Sequence, residues 1–375
     1  MHRVSIRTFL VGFIALSTGF PSLAAEPEPF KIYAPSRNGE ELLILQVTPE
    51  KEDKSPYAEM RLIDSTALGF AARSIAQHPT KPLLYLTGGS GKTSGNNFGM
   101  RQLDPKTNED TGGVMATLPR NYSYLSVDRT GEFLLGCNYG EGIVDIYRLQ
   151  ESGMPDPNPV ATLEEGRKAA HCVLLSPDNR HFYIPYVKEN NALYQYRFDA
   201  ATGVPTALEP MNAGSPEGTG PRHLAYHPNL PILYFSEEQG LGVSIYHRDV
   251  ESGKLKYSES VSSVPDDVPD EGVSASDIVM TPDGNFLYTG IRGHKHEFDH
   301  IAGYAVQEDG GLKPLGLTET SAVPWGLAVS PDSNFLVVTA FKGAEILLYR
   351  IGEDGSLEKA ASLPVEEGIS DVETR

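Results

Sequence analysis

The sequence predicts an all-β protein, specifically a seven-bladed β-propeller of four-stranded antiparallel blades. Three observations predict it. First, one phrase recurs: alternating apolar residues, a polar-proline break, a short turn and a second apolar run. It reads RHLAYHPNLPILYFSEE at 222–238, DIVMTPDGNFLYTGI at 277–291 and WGLAVSPDSNFLVVTAF at 325–341. Second, the break falls at Pro79, Arg129, Pro177, Pro228, Pro282 and Pro331, at spacings of 50, 48, 51, 54 and 49 residues, a period that suits one propeller blade. Third, no stretch sustains a 3.6-residue apolar period, and 37 Gly with 28 Pro fit many short strands and turns.

The elements follow in chain order. MHRVSIRTFLVGFIALSTGFPSLAAEPEP carries Arg3 and Arg7, an apolar run from Phe9 to Leu16, and small residues at Ser22-Leu23-Ala24. This pattern reads as a secretory signal peptide over 1–24, which places the protein in the periplasm or outside the cell. The apolar run is too short to span a bilayer comfortably. Residues 25–375 then read as a single propeller domain. FKIYAPSRNGEELLILQVTPE and YAEMRLID supply the strands of a blade that lacks its inner strand. Six repeats occupy residues 71 to about 366. In each, the segment before the break is the innermost strand and the one after it the second. Half-buried alternating runs such as ALYQYRF, VSIYHR and EILLYRI are the third, and segments such as KLKYSESV the outermost. A C-terminal segment is expected to complete the first blade and close the ring, although the polar tail GISDVETR does not itself read as an inner strand.

Composition narrows the function. The formal charge of −19 becomes −21 once the two arginines of residues 1–24 are removed. A chain so acidic repels nucleic acid and anionic membranes, and an anionic substrate needs a local cationic pocket. The cysteines Cys137 and Cys172 are too few for a disulfide scaffold and fit either a pair or buried thiols. No cofactor-binding pattern is present. GGSGKTSGNN at 88–97 imitates a phosphate-binding loop, but Leu86 stands where that motif needs Gly, so it reads as an inter-blade loop. HKHEFDH at 294–300 offers His294, His296 and His300, ligand types able to hold a metal in a spacing that matches no standard site.

Equivalent positions in different blades ring the central axis. Six residues before the breaks lie Arg73, Ser123, His171, Arg222, Ser276 and Trp325, followed by Ser74, Tyr124, Cys172, His223, Asp277 and Gly326. Ten residues after the breaks, where the second strands end, lie Gly89, Tyr139, Val187, Glu238, Arg292 and Phe341. Antiparallel pairing returns that end to the start of the inner strand, so the sets share one mouth of the channel. His171, Glu238, Arg222 and Arg292 are the candidate catalytic residues; Arg73, His223, Asp277 and Trp325 are candidate substrate contacts. A neutral imidazole can take a proton from water, a carboxylate can orient it or act as base, and guanidinium groups can hold an oxyanion or a substrate anion.

The phrases AHCVLLSPDNRHFYIP (170–185), GPRHLAYHPN with LYFSEE (220–238) and SDIVMTPDGNFLYTGIRGH (276–294) resemble the seven-bladed propeller lactonase family. That family includes bacterial propeller-type 6-phosphogluconolactonases and the fungal carboxymuconate cyclase. The resemblance covers residues 71 to about 366, with a weaker extension to the blade from residue 30. It implies a lactone hydrolase acting on a small anionic lactone or carboxylate, with the family's His, Arg, Glu and Arg falling on His171, Arg222, Glu238 and Arg292. The chain departs from the family at Pro324-Trp325-Gly326, where Pro-Arg-Gly is common, and in its longer loop after Arg292. A carboxymuconate-type cycloisomerase would use the same groups. Trp325 would also suit a non-catalytic ligand- or protein-binding propeller.

Overall fold

The structure is a computed structural model that describes residues 28–50, 57–89, 92, 95–268 and 271–375. The signal peptide expected at 1–24 lies outside the described residues. Among the described residues no helix is long and apolar enough to cross a membrane, and Lys188–Asn190, a single 3₁₀ turn, is the only helical element.

The strands form seven four-stranded antiparallel sheets. Blades two to seven run through the chain in order, with inner strands at Ala71–Gln77, Tyr124–Val127, Leu174–Leu175, Pro221–Tyr226, Val273–Met280 and Pro324–Val329. The first blade is composite. Phe30–Ser36, Glu41–Pro49 and Ala58–Ala67 supply three strands, and Glu373–Thr374 from the far end of the chain supplies the innermost.

Ring closure therefore rests on the segment that read as too polar. Ile32 pairs with Thr374 and Tyr33 with Glu373, Ser36 bridges to Ile369, and Lys31 and Arg375 exchange backbone hydrogen bonds of 2.8 and 3.0 Å. Ile369 and Val372 are buried in a cluster with Phe30, Ile32, Phe335 and Val337. Between them, Asp371 lines the axial cavity. An inner strand facing the axial channel needs apolar residues on one side only, which is why its sequence shows a weak hydrophobic signal.

The core lies between blades. Each of seven apolar clusters draws its residues from two neighbouring blades, and the first and seventh blades share one like every other pair. A repeated staple reinforces these interfaces. Tyr85, Tyr183, Tyr234 and Tyr288, each six residues after a break, donate from the phenol to the carbonyls of Gly153, Gly253, Gly310 and Gly355 in the next blade, at 2.7–2.9 Å. Gly253 has φ +77, and a Cβ there would lie 2.1 Å from the His181 ring, so both backbone and packing demand glycine. Cys137 and Cys172 are buried free thiols in the third and fourth blades.

Removing residues 369–375 strips two buried apolar side chains and all pairing from the inner edge of the first blade. The expected outcome is a fall in the thermal midpoint on the order of 10 °C, or loss of soluble protein, measured by circular dichroism melting. An unchanged midpoint would remove the tail from any role in closure.

Candidate active site

At the mouth where the inner strands begin, the axis opens into a cavity of about 380 Å³, a size suited to a small molecule. His171, Arg222, His223, Glu238, Arg292, Arg73 and Trp325 all line it. Of the eight site candidates from the sequence, Asp277 alone does not; it lines the cavity of the opposite mouth and reaches the first one through His223.

Arg222 opens the inner strand of the fifth blade, and Glu238 follows the second strand of the same sheet, Ile232–Glu237. Their groups meet because the strands are antiparallel neighbours, with Arg222 Nε 3.2 Å from Glu238 Oε2. Arg292, near the end of the second strand in the sixth blade, brings Nη2 to 3.7 Å from the same oxygen and donates at 2.7 Å to the carbonyl of Ala275. His171 Nε2 lies 3.9 Å from Glu238 Oε2, beyond hydrogen-bond reach. Two cations thus face one carboxylate, leaving the cluster a net positive charge inside an acidic protein.

The arginines are poorly solvated. The Arg222 side chain is 0% exposed, and among the described residues none of its three guanidinium nitrogens completes a hydrogen bond. Arg292 Nε is likewise unpartnered. A buried donor left unpaired costs roughly 1–3 kcal/mol, so the fold carries these groups at the expense of its own stability. Trp325 provides the nearest compensation: its ring lies 4.7 Å from the Arg292 guanidinium, 6.0 Å from that of Arg222 and 4.9 Å from the Phe341 ring. The tryptophan is thus a cation–π floor for both arginines.

Burial and crowding set the protonation states. Burial, followed by the field of Arg222, lowers Arg292 to about 9. Burial also lowers Arg222. His171 is held well below its usual value by burial, then by Arg222, His223 and Arg292, so it stays neutral near pH 7. His171 Nδ1 lies 3.0 Å from His223 Nε2, and His223 Nδ1 lies 2.7 Å from Asp277 Oδ1.

The loop at 294–300 serves the site without gathering its histidines. His294 lines the cavity with Nε2 2.7 Å from Ser274 Oγ, His296 Nε2 lies 3.1 Å from the Glu271 carbonyl, and His300 packs on Phe298. Among the described residues no group of three His, Cys, Asp or Glu side chains is placed to hold a metal ion. Asp299 instead accepts the backbone N–H groups of Gly293 and Val323 at 3.0 and 2.8 Å. Val323 has φ +60, a left-handed conformation unfavourable for a β-branched residue, and this bend delivers Trp325 to the arginines. In the phosphate-loop imitation, residues 90, 91, 93 and 94 lie outside the described residues.

Register also reveals residues that sequence reasoning missed. Ser36 opposite Ile369 corresponds to Glu237 opposite Pro221, so Arg37 is the first-blade counterpart of Glu238, and Ser370 and Asp371 are those of Arg222 and His223. All three line the cavity, as does Lys188. Aligning the tail as a seventh inner strand was the signal that would have found Ser370 and Asp371.

Residues 57–370 match the family described as Lactonase, 7-bladed beta-propeller. The 6-phosphogluconolactonase of Enterobacter sp. strain 638 is 30% identical over 272 residues, 71% of this chain and 78% of that protein. That of Klebsiella pneumoniae strain 342 is 30% identical over 271 residues, again 71% and 78%. Among solved structures, the periplasmic gluconolactonase of Pseudomonas aeruginosa superposes with a TM-score of 0.76 at 19% identity, covering 92% of this chain and 99% of that one. A putative 6-phosphogluconolactonase of Bacteroides fragilis gives 0.76 at 16% identity over 95% and 100%. These superpositions share the fold, and the sequence matches carry the kinship: the chain belongs to the seven-bladed β-propeller lactonase family.

Proposed function

We propose that this lactonase is exported and hydrolyses a sugar-acid or related lactone bearing an anionic group, at the cavity around Arg222. The observation that carries the reading is the fully buried Arg222 guanidinium, ion-paired with Glu238 but completing no hydrogen bond, beside a neutral His171. Buried guanidinium donors that complete no hydrogen bond of their own suit an oxyanion, because they are already oriented where its charge develops. Export is supported by the charge, apolar run and small residues of segment 1–24.

His171 accepts a proton from water as the resulting hydroxide adds to the ring carbonyl carbon. The carbonyl oxygen gains negative charge beside Arg222 and Arg292. When the tetrahedral species collapses, the bond from that carbon to the ring oxygen breaks. His171 returns the proton to the departing alkoxide, leaving an open-chain hydroxy acid. Glu238 limits the repulsion between the two arginines and holds their orientation.

The opposite side of the mouth carries a second cationic pole, Arg37 and Arg73, contributed by the first and second blades. Burial, then the field of Arg37, lowers Arg73, and among the described residues neither arginine has a carboxylate within ion-pair distance. This pole suits the anionic substituent of a lactone whose ring carbonyl sits at Arg222.

Arg222→Gln is expected to lower kcat/KM for lactone opening by roughly 10²–10³-fold with an unchanged circular dichroism spectrum. His171→Ala and Glu238→Gln should each lose comparable activity; full activity in both would end the assignment. After correction for spontaneous hydrolysis, kcat/KM should fall on the alkaline side with an apparent pKa of about 9, as Arg292 loses its charge. The residual activity of Arg292→Gln should lack that limb. For Arg37→Gln and Arg73→Gln, the ratio of kcat/KM for 6-phosphogluconolactone over unphosphorylated gluconolactone should drop by about tenfold, the loss of one charge-assisted contact. An unmoved ratio would place the anion elsewhere.

A further inference from the structure

We infer that His223 and Asp277 are positioning residues: together they fix the tautomer of His171 so that its Nε2 lone pair, rather than an N–H, faces the substrate. The inference rests on the lactonase reading above and adds two residues and a directed hydrogen-bond chain to it.

The chain runs through neighbouring blades. Asp277, on the inner strand of the sixth blade, accepts the backbone N–H groups of Ile278 at 2.9 Å and of Leu327, in the seventh blade, at 3.0 Å. Although burial opposes it, the facing His223 and its hydrogen bond, with the Leu327 N–H and Arg222, lower the Asp277 carboxyl, so it is ionised near neutral pH. An ionised carboxylate can only accept. Its Oδ1 lies 2.7 Å from His223 Nδ1, so that nitrogen carries the proton. Burial, then Arg222, keeps His223 neutral, and its Nε2 is therefore an acceptor. The atom facing that acceptor at 3.0 Å is His171 Nδ1, which must donate. In a neutral His171 the remaining nitrogen, Nε2, then holds a lone pair. With Asp277 ionised and both imidazoles neutral, this is the arrangement of protons that satisfies both contacts in the chain.

That lone pair is available. Glu238 Oε2 lies 3.9 Å away, too far to engage it, and the ring is held edge-on between Tyr139 at 5.3 Å and His223 at 4.8 Å. Other blades show what the Asp277 position does without a reacting histidine. Ser74 and Asp371, at the equivalent place, also accept a backbone N–H from the next blade, those of Leu125 and Ile75, at 3.1 and 2.9 Å. At His223 the same ring position joins two side chains instead, so a structural tie between blades becomes a proton-ordering device.

The test uses the full-length protein labelled with ¹⁵N-histidine. In the resting wild type, the His171 imidazole should report a protonated Nδ1 and an unprotonated Nε2. In Asp277→Asn the side-chain amide can donate to His223 Nδ1, reversing the chain, and His171 should gain the Nε2–H form. Lactone turnover should show kcat down by about 10²-fold with KM changed less than about threefold, the pattern of a lost transition-state role. A second pair guards against a variant that fails to fold. His223→Gln keeps an oxygen near the position of Nε2 to accept from His171, and should retain at least about tenfold more kcat than His223→Leu. A wild-type His171 protonated at Nε2 would overturn the proposal, as would equal kcat values in His223→Gln and His223→Leu. The tautomer is read without substrate. A protein with the stated tautomer that opens no lactone would count against the lactonase reading while leaving the relay intact.

Discussion

Closure of the ring by the pairing of Glu373–Thr374 with Phe30–Ser36 is the constraint on which the rest of the structure depends. Each blade buries its apolar faces only against its neighbours, so an open ring would expose two faces and an unpaired inner edge at once. The bond between the chain's ends therefore does more than fasten a terminus. It lets the first and seventh blades share a core, and it holds the seven inner strands at fixed places around one axis.

That rigidity is what allows an unfavourable site to persist. Arg222 and Arg292 are taken almost wholly out of water and share the Glu238 carboxylate, the one acid paired with either among the described residues. A flexible pocket would relax until both cations found solvent or a counter-ion. Here they project from the inner strand of one sheet and the second strand of the next and rest against Trp325, which the strained Val323 and the Asp299 carboxylate set in place. The cost of desolvation is met by interfaces far from the axis, and the cavity keeps a positive field inside a chain of net charge −19. This arrangement favours an anion at the axis despite the repulsion an acidic surface exerts at longer range.

Symmetry also explains how function is added to such a frame. Ser74, Asp277 and Asp371 occupy one repeated place and tie one blade to the next through backbone N–H groups. Substituting His223 at that place turns a tie into a link between side chains. The mouth residues vary in the same way. Arg222 and Ser370 are structural equivalents, one cationic and one neutral, so the two sides of the mouth differ in chemistry although their backbones repeat.

The sequence by itself determined the blade period, the strand order within blades two to seven and the mouth positions of His171, Arg222, Glu238 and Arg292. Those features follow from local alternation and from spacing, and both are written along the chain. Tertiary structure alone decided that GISDVETR is an inner strand, because two buried side chains are too few for periodicity to register. It decided that Arg37, Ser370 and Asp371 complete the mouth, since their place depends on pairing between residues more than 300 apart. It also separated Asp277 from the cavity around Arg222 and made Asp299 a brace for Trp325, as hydrogen-bond direction and distance arise only once the blades are packed.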